Sequence, residues 1–190
     1  NRRMLEKRAA TTLTYGATGT YKTHNVGLFA KYMYERTGKP IRLISADAGG
    51  WEPIQELIEE GIIKAIHVGE TPDLLGILVQ LCRGYWPNEA SKLVRDGLDE
   101  VSGYAVEGVT SIAQLLMSHL AQKGQKINED VVGMFSEAGV QFGANPRSHY
   151  GFVPQQIYGM LTDLGTLPVQ RVLLTAHEGK GQDDFSRQLV

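Results

Sequence analysis

The chain is poor in the residues that build several familiar architectures. Its 190 residues contain one cysteine, Cys82, so neither an internal disulfide nor a cysteine-based zinc site is available, which fits a reducing compartment. Cys82 stands beside Leu78 and Leu81 and reads as core filler. No apolar run approaches the roughly 18 residues needed to span a bilayer. The opening residues 1–8 are polar and lack the apolar segment of a signal peptide, so the expectation is an intracellular, cytoplasmic chain with no membrane partner. Charge of one sign is also scarce. A formal net charge of -2 excludes a surface that is basic throughout, and leaves nucleic-acid contact to local basic loops. No internal repeat is visible.

What is present is an ordinary globular make-up, 42% hydrophobic and 21% charged, long enough to bury one sizeable core. The expectation is a single domain over residues 1–190, read as a piece of a longer protein because the chain begins at Asn1 and stops after a polar tail. Strand patterns fall at residues 11–15, 41–46, 62–68, 104–108 and 171–177. Helical patterns alternate with them. Val26, Phe29, Ala30 and Met33 recur at i, i+3, i+4, i+7, and Gly38 and Pro40 stop that helix. Further helices are expected from Pro53 to about Glu60, after Thr71-Pro72-Asp73, across Ile112, Leu115, Leu116 and Leu120, and across Val153, Ile157, Met160, Leu161 and Leu164. Between residues 84 and 103 the pattern weakens, with a turn at Trp86-Pro87-Asn88 and Trp86 as a packing lid. Residues 143–151 read as a mobile loop, and 178–184 as a flexible one. Apolar strands alternating with helices mean an α/β fold with a parallel sheet covered on both faces.

The first strand runs into Gly16-Ala17-Thr18-Gly19-Thr20-Tyr21-Lys22-Thr23, which looks like a phosphate-binding P-loop. Polyphosphate needs many backbone N–H donors, small residues that let the backbone approach, and a helix N-terminus aimed at the anion. Gly16 and Gly19 meet the second need. Lys22 is placed to reach the β- and γ-phosphates, and the Thr23 hydroxyl to hold Mg²⁺. Tyr21 stands where the usual pattern has glycine, and a bulky residue is expected to fit only if that position is already helical. Two acids follow at strand ends, Asp47 before Gly49-Gly50 and Glu107 before Gly108, where open α/β sheets keep their chemistry. Asp47-Ala48-Gly49-Gly50 also satisfies a GTPase pattern, but no Asn-Lys-x-Asp guanine signature exists, so ATP is favoured. A small-molecule kinase would show an Arg-rich lid, and none stands out.

In order, these features resemble the RecA-like P-loop ATPases over nearly the whole chain. The likeness is closest to the phage-type nucleotide-binding and recombinase-like members. Their apolar strand followed by Asp-Ser-Leu-Thr is similar to Val106-Glu107-Gly108-Val109-Thr110, and their strand-end polar sensor to Thr175-Ala176-His177-Glu178. The resemblance implies a three-layer fold with a mainly parallel central sheet, and a Mg²⁺-dependent ATPase, slow if anything because of Tyr21 and Glu107. It gives Glu107 the Mg²⁺ through water, Asp47 the attacking water, and His177 the γ-phosphate. It also implies work on single-stranded or duplex DNA, in recombination or genome packaging, by a homo-oligomeric ring or filament with a trans-acting cation, in a bacterial host cell if phage-encoded. Arg147, His149, Tyr150, Lys180 and Arg187 are the expected DNA contacts. The competing expectation is a nucleotide-gated binding module with little turnover.

Overall fold

The computed structural model describes residues 9–17, 19–47, 50–69, 71–123 and 146–177, excepting the side chains of 121–123 and 146–150. A five-stranded parallel sheet organises them. Its strands are β1 (Ala10–Gly16), β2 (Ile41–Ser45), β3 (Ile63–His67), β6 (Gly103–Glu107) and β7 (Arg171–His177), in the order β1-β7-β6-β2-β3. Between β3 and β6 the chain forms a two-stranded hairpin, β4 (Trp86–Pro87) and β5 (Leu93–Val94).

The register makes the two faces legible. Leu43, Ala105 and Leu173 are neighbours in one row, and Ile44, Val106 and Leu174 in the next, so alternate rows point to opposite faces. The first row packs under α1 (Lys22–Thr37) and α2 (Gln55–Glu59), with Val26, Ala30, Met33, Ile54 and Leu57. The second packs under α3 (Leu74–Cys82), α4 (Val109–Lys123) and α5 (Pro146–Gly165), with Leu78, Ile112, Leu116, Met160 and Leu164. The expected helical faces are therefore those that the helices bury. Cys82 lies in this second layer, where burial pushes its thiol up to about 12 and leaves it inert as a nucleophile.

The helix after β1 and the helix after β6 thus cover opposite faces. Because every strand of the sheet is parallel, the C-terminal ends of β1, β2, β6 and β7 all lie at one edge, and a crevice opens where α1 and α4 diverge to opposite faces. Among the described residues no helix is long and apolar enough to cross a membrane.

Three expectations need correction. β2 and β6 are buried along their whole length, but β1 forms the sheet's edge, with Leu13 56% and Tyr15 71% exposed, so cover on both faces fails there. Residues 146–151 are helical, not loop: α5 starts at Pro146, and proline is favoured in a first turn because its missing N–H has no partner to lose there. The rest of that loop, residues 143–145, and the flexible segment 178–184 lie outside the described residues. The stretch at Trp86 is strand, not turn. Its indole does act as packing, edge-on to Tyr104 with ring centroids 6.3 Å apart and 5.1 Å from the Arg42 guanidinium. Arg42, 3% exposed, is held by Gly84 O, Asp96 O and the Tyr104 hydroxyl, which ties the hairpin to the sheet end opposite the crevice.

Candidate functional site

β1 ends at Gly16 and α1 begins at Lys22, so a five-residue turn reverses the chain over the sheet edge. Gly19 has φ 81 and Tyr21 φ 57, both left-handed. The condition set for a bulky residue at this position, helical backbone, is therefore not met. Its conformation is the one that glycine adopts without a Cβ penalty, which is the physical reason for a glycine there. The ring has escaped by turning outward, 78% exposed, with the His24 ring edge-on at 6.5 Å between centroids. A left-handed L residue costs roughly 1–2 kcal/mol, against about 0.5–1 kcal/mol of extra chain entropy for glycine. Tyr21→Gly should consequently stabilise the chain by up to about 1 kcal/mol in a denaturant titration. A destabilisation larger than that would mean the tyrosine ring holds the loop.

Lys22 is only 7% exposed and its ammonium is turned into the loop. Nζ donates to Ala17 O at 2.6 Å, to Gly16 O at 3.1 Å and to Thr20 Oγ1 at 3.4 Å, while Thr20 Oγ1 donates to Ala17 O at 2.7 Å. A Cβ on Gly16 would meet Thr20 Oγ1 at 2.9 Å, so glycine is what lets the loop close this tightly. Tyr21 gives α1 no side-chain cap, and no acid lies in the helix's first turn. The first N–H groups and the positive end of the helix dipole therefore lie at the crevice without a cap from the loop.

Thr23, one residue further along α1, donates from Oγ1 to Glu107 Oε1. Glu107 is the last residue of β6, in the row shared with Ser45, two residues beyond the apolar Leu43–Ala105 row and on the same face as α1. Ser45 Oγ donates to Glu107 Oε2 at 3.2 Å. The carboxyl is 2% exposed. Burial pushes it above its ordinary range, the hydrogen bonds from Thr23 and Ser45 pull it back, and the nearby Asp47 charge raises it again. Trp51, whose buried indole N–H has no well-aligned partner among the described residues, lies near enough to favour the charged form.

Asp47 follows β2 by two residues, with its N–H 3.3 Å from Ser45 Oγ. Its Oδ1 accepts from Ser111 Oγ in the first turn of α4, and its Oδ2 lies 3.5 Å from His177 Nε2 at the end of β7. His177 is fixed through its backbone: its N–H donates to Thr110 Oγ1 at 3.0 Å, and Thr110 Oγ1 donates back to His177 O at 3.2 Å. The His177 Nδ1 atom is buried with no partner among the described residues.

An open cleft of about 630 Å³ is lined by Gly19, Thr20, Lys22, Thr23, Asp47 and His177 among others, with Glu107 buried against its Thr23. That volume suits a small organic ligand. Lys22, Thr23, Asp47, Glu107 and His177, 155 positions apart from first to last in sequence, are thus brought to one place. Thr18 lies outside the described residues, as do Lys180 and Arg187; so do the side chains of Arg147, His149 and Tyr150. Sequence reasoning did not find Ser45, Thr110 and Ser111. Ser45 carried a signal, since it ends the strand that leads to Asp47; Thr110 stood in the motif compared above without a role, and Ser111 carried none.

Among the described residues no three His, Cys, Asp or Glu side chains converge as a protein-only metal cage. The Thr23 hydroxyl in direct contact with the buried Glu107 carboxylate instead fits Mg²⁺, a hard cation that takes few protein oxygens and keeps water and phosphate as its other ligands. No protein-family model matches the chain, and no curated protein is significantly similar to it.

Proposed function

We propose that the chain binds Mg²⁺-ATP and hydrolyses it as a RecA-like P-loop ATPase, coupling turnover to work on DNA as a homo-oligomer. The observation that carries the nucleotide part is the hydrogen bond between Thr23 and Glu107. These two residues are 84 positions apart, are given to one metal by the P-loop pattern for Thr23 and by the resemblance for Glu107, and meet beside a Gly-rich loop whose lysine and helix end suit polyphosphate. Mg²⁺ held there would supply positive charge to offset the negative charge developing on the terminal phosphoryl group. Thr23 and Glu107 would hold it.

In this reading Lys22 leaves the carbonyls of Gly16 and Ala17 for the phosphates, and the N-terminal N–H groups of α1 bind oxygens of the same chain of phosphates. Asp47 takes a proton from the attacking water. The water oxygen bonds to the γ-phosphorus as the bond to the β–γ bridging oxygen breaks, and that electron pair departs with ADP. His177, beside Asp47 in the cleft, meets the γ-phosphate. The second reading, a nucleotide-gated module with little turnover, is favoured by one observation: the lysine is already satisfied by its own loop, so nucleotide must displace three hydrogen bonds. Single-turnover hydrolysis separates the two.

The DNA part rests on the resemblance and on cations in segments that lie outside the described residues. Few cations are involved, so one subunit should bind weakly and several side by side should bind well. DNA binding is expected to be cooperative, ATP-dependent and salt-sensitive, with an ATPase rate that rises more than linearly with protein concentration. The check is a titration of single-stranded and duplex DNA at two salt concentrations. If neither form binds or stimulates hydrolysis at low salt, the DNA coupling is wrong.

A further inference from the structure

The geometry points to Ser111 as a positioning residue that aims Asp47, an inference that rests on the ATPase reading above. Asp47 lies past the end of its strand, beside glycines, where no sheet hydrogen bond fixes its side chain. What fixes it comes from the junction of β6 with α4 and the first turn of that helix. Ser111 Oγ donates to Oδ1, which leaves Oδ2 as the oxygen next to His177 Nε2 in the cleft. Gly108 makes room for this arrangement. It has φ 75, and a Cβ there would stand 2.5 Å from Asp47 Oδ1, so the turn can carry no side chain at that point.

The same turn also holds the histidine's strand. Gly108 N–H donates to Thr175 Oγ1 at 3.1 Å, and Thr110 exchanges hydrogen bonds with both backbone groups of His177. Four consecutive residues, 108–111, therefore set the end of β2 against the end of β7. Ser111 is the one member whose bond reaches the reactive carboxylate itself. Its hydroxyl occupies Oδ1, so the proton from water is received on Oδ2, and the carboxylate is held from rotating away from the cleft. Misplacing a reacting group by about 1 Å costs on the order of 100-fold in rate.

Ser111→Ala should lower kcat by roughly 10- to 100-fold, with KM and the calorimetric ATP affinity within about twofold of the parent. Ser111→Thr, which restores the hydroxyl, should return most of the rate. A second readout needs no nucleotide: the imidazole nitrogen resonances of His177 in the free chain should move in Ser111→Ala and stay near the parental position in Ser111→Thr. An unchanged kcat in Ser111→Ala overturns the inference. So does an equal loss of ATP affinity, unmoved His177 resonances, or failure of threonine to rescue, since each makes the residue merely structural or idle. A parental chain that binds but does not hydrolyse ATP would overturn the ATPase reading, and this inference with it, whereas an active parent with an indifferent Ser111→Ala fails the inference alone.

Discussion

Lys22→Ala is expected to abolish Mg²⁺-ATP binding at micromolar nucleotide while leaving the fold intact. The ammonium is the one side-chain cation that β1 and α1 bring to the loop's interior, and a charge-assisted contact to phosphate is about twice as strong as a neutral one. Loss of such contacts at two phosphate groups should weaken binding at least about 100-fold. The fold should tolerate the change, because what Nζ touches is loop backbone and one hydroxyl, not the Val26, Ala30 and Met33 core of the same helix. The carbonyls of Gly16 and Ala17 lie by an open cleft and can turn to water, so the cost to stability should stay near 1 kcal/mol. Calorimetry with Mg²⁺-ATP and a thermal melt together form the test. An unchanged affinity would remove the P-loop reading; a collapse of the melt would show the lysine to be a structural clamp.

The parts of the site that were readable in the sequence are those governed by short-range rules. Spacing alone puts Lys22 and Thr23 in the first turn of a helix, and parallel strands put Asp47, Glu107 and His177 at the same edge of a sheet. Along β2 and β6 continuous burial replaces alternation, which is why these two strands could be read as covered on both faces. The misses arise where geometry depends on partners far away in sequence. β1 looks like any β-branched strand, and nothing in Thr11-Thr12-Leu13 says that it will stand at the edge with β7 as its neighbour. Tyr21 has a left-handed backbone because the loop must turn over Gly16 before α1 can start, a constraint that outweighs the preference of the residue itself. Ser111 is silent for a different reason. Any exposed serine in a first helical turn looks like a solvated one until the strand that carries Asp47 is laid beside it.

Asp47→Asn and Glu107→Gln should each stop hydrolysis, by routes that experiment can separate. Asparagine keeps the shape of Asp47, still accepts from Ser111 at the same oxygen, and loses only the capacity to take a proton; kcat should fall by about 10³-fold with nucleotide affinity kept. Glutamine at position 107 keeps the acceptor for Thr23 and can donate to Ser45, but removes charge from the pair that would hold Mg²⁺. Its apparent Mg²⁺ requirement should rise at least tenfold, and excess Mg²⁺ should restore part of the rate in Glu107→Gln and none in Asp47→Asn. Stability moves the other way. A buried carboxyl raised above its unfolded value of about 4.5 makes the folded chain take up protons, so the metal-free parent should lose stability as pH climbs through the interval above that value. Glutamine carries no such charge. The metal-free Glu107→Gln chain should therefore melt a few degrees above the parent at neutral pH and match it in acid. A parental rate in Asp47→Asn would show that another group handles the attacking water. Equal melting of Glu107→Gln and parent at neutral pH would mean that Thr23 and Ser45 already offset the burial of the charge, and that Glu107 is held ready for a cation at no cost to the fold.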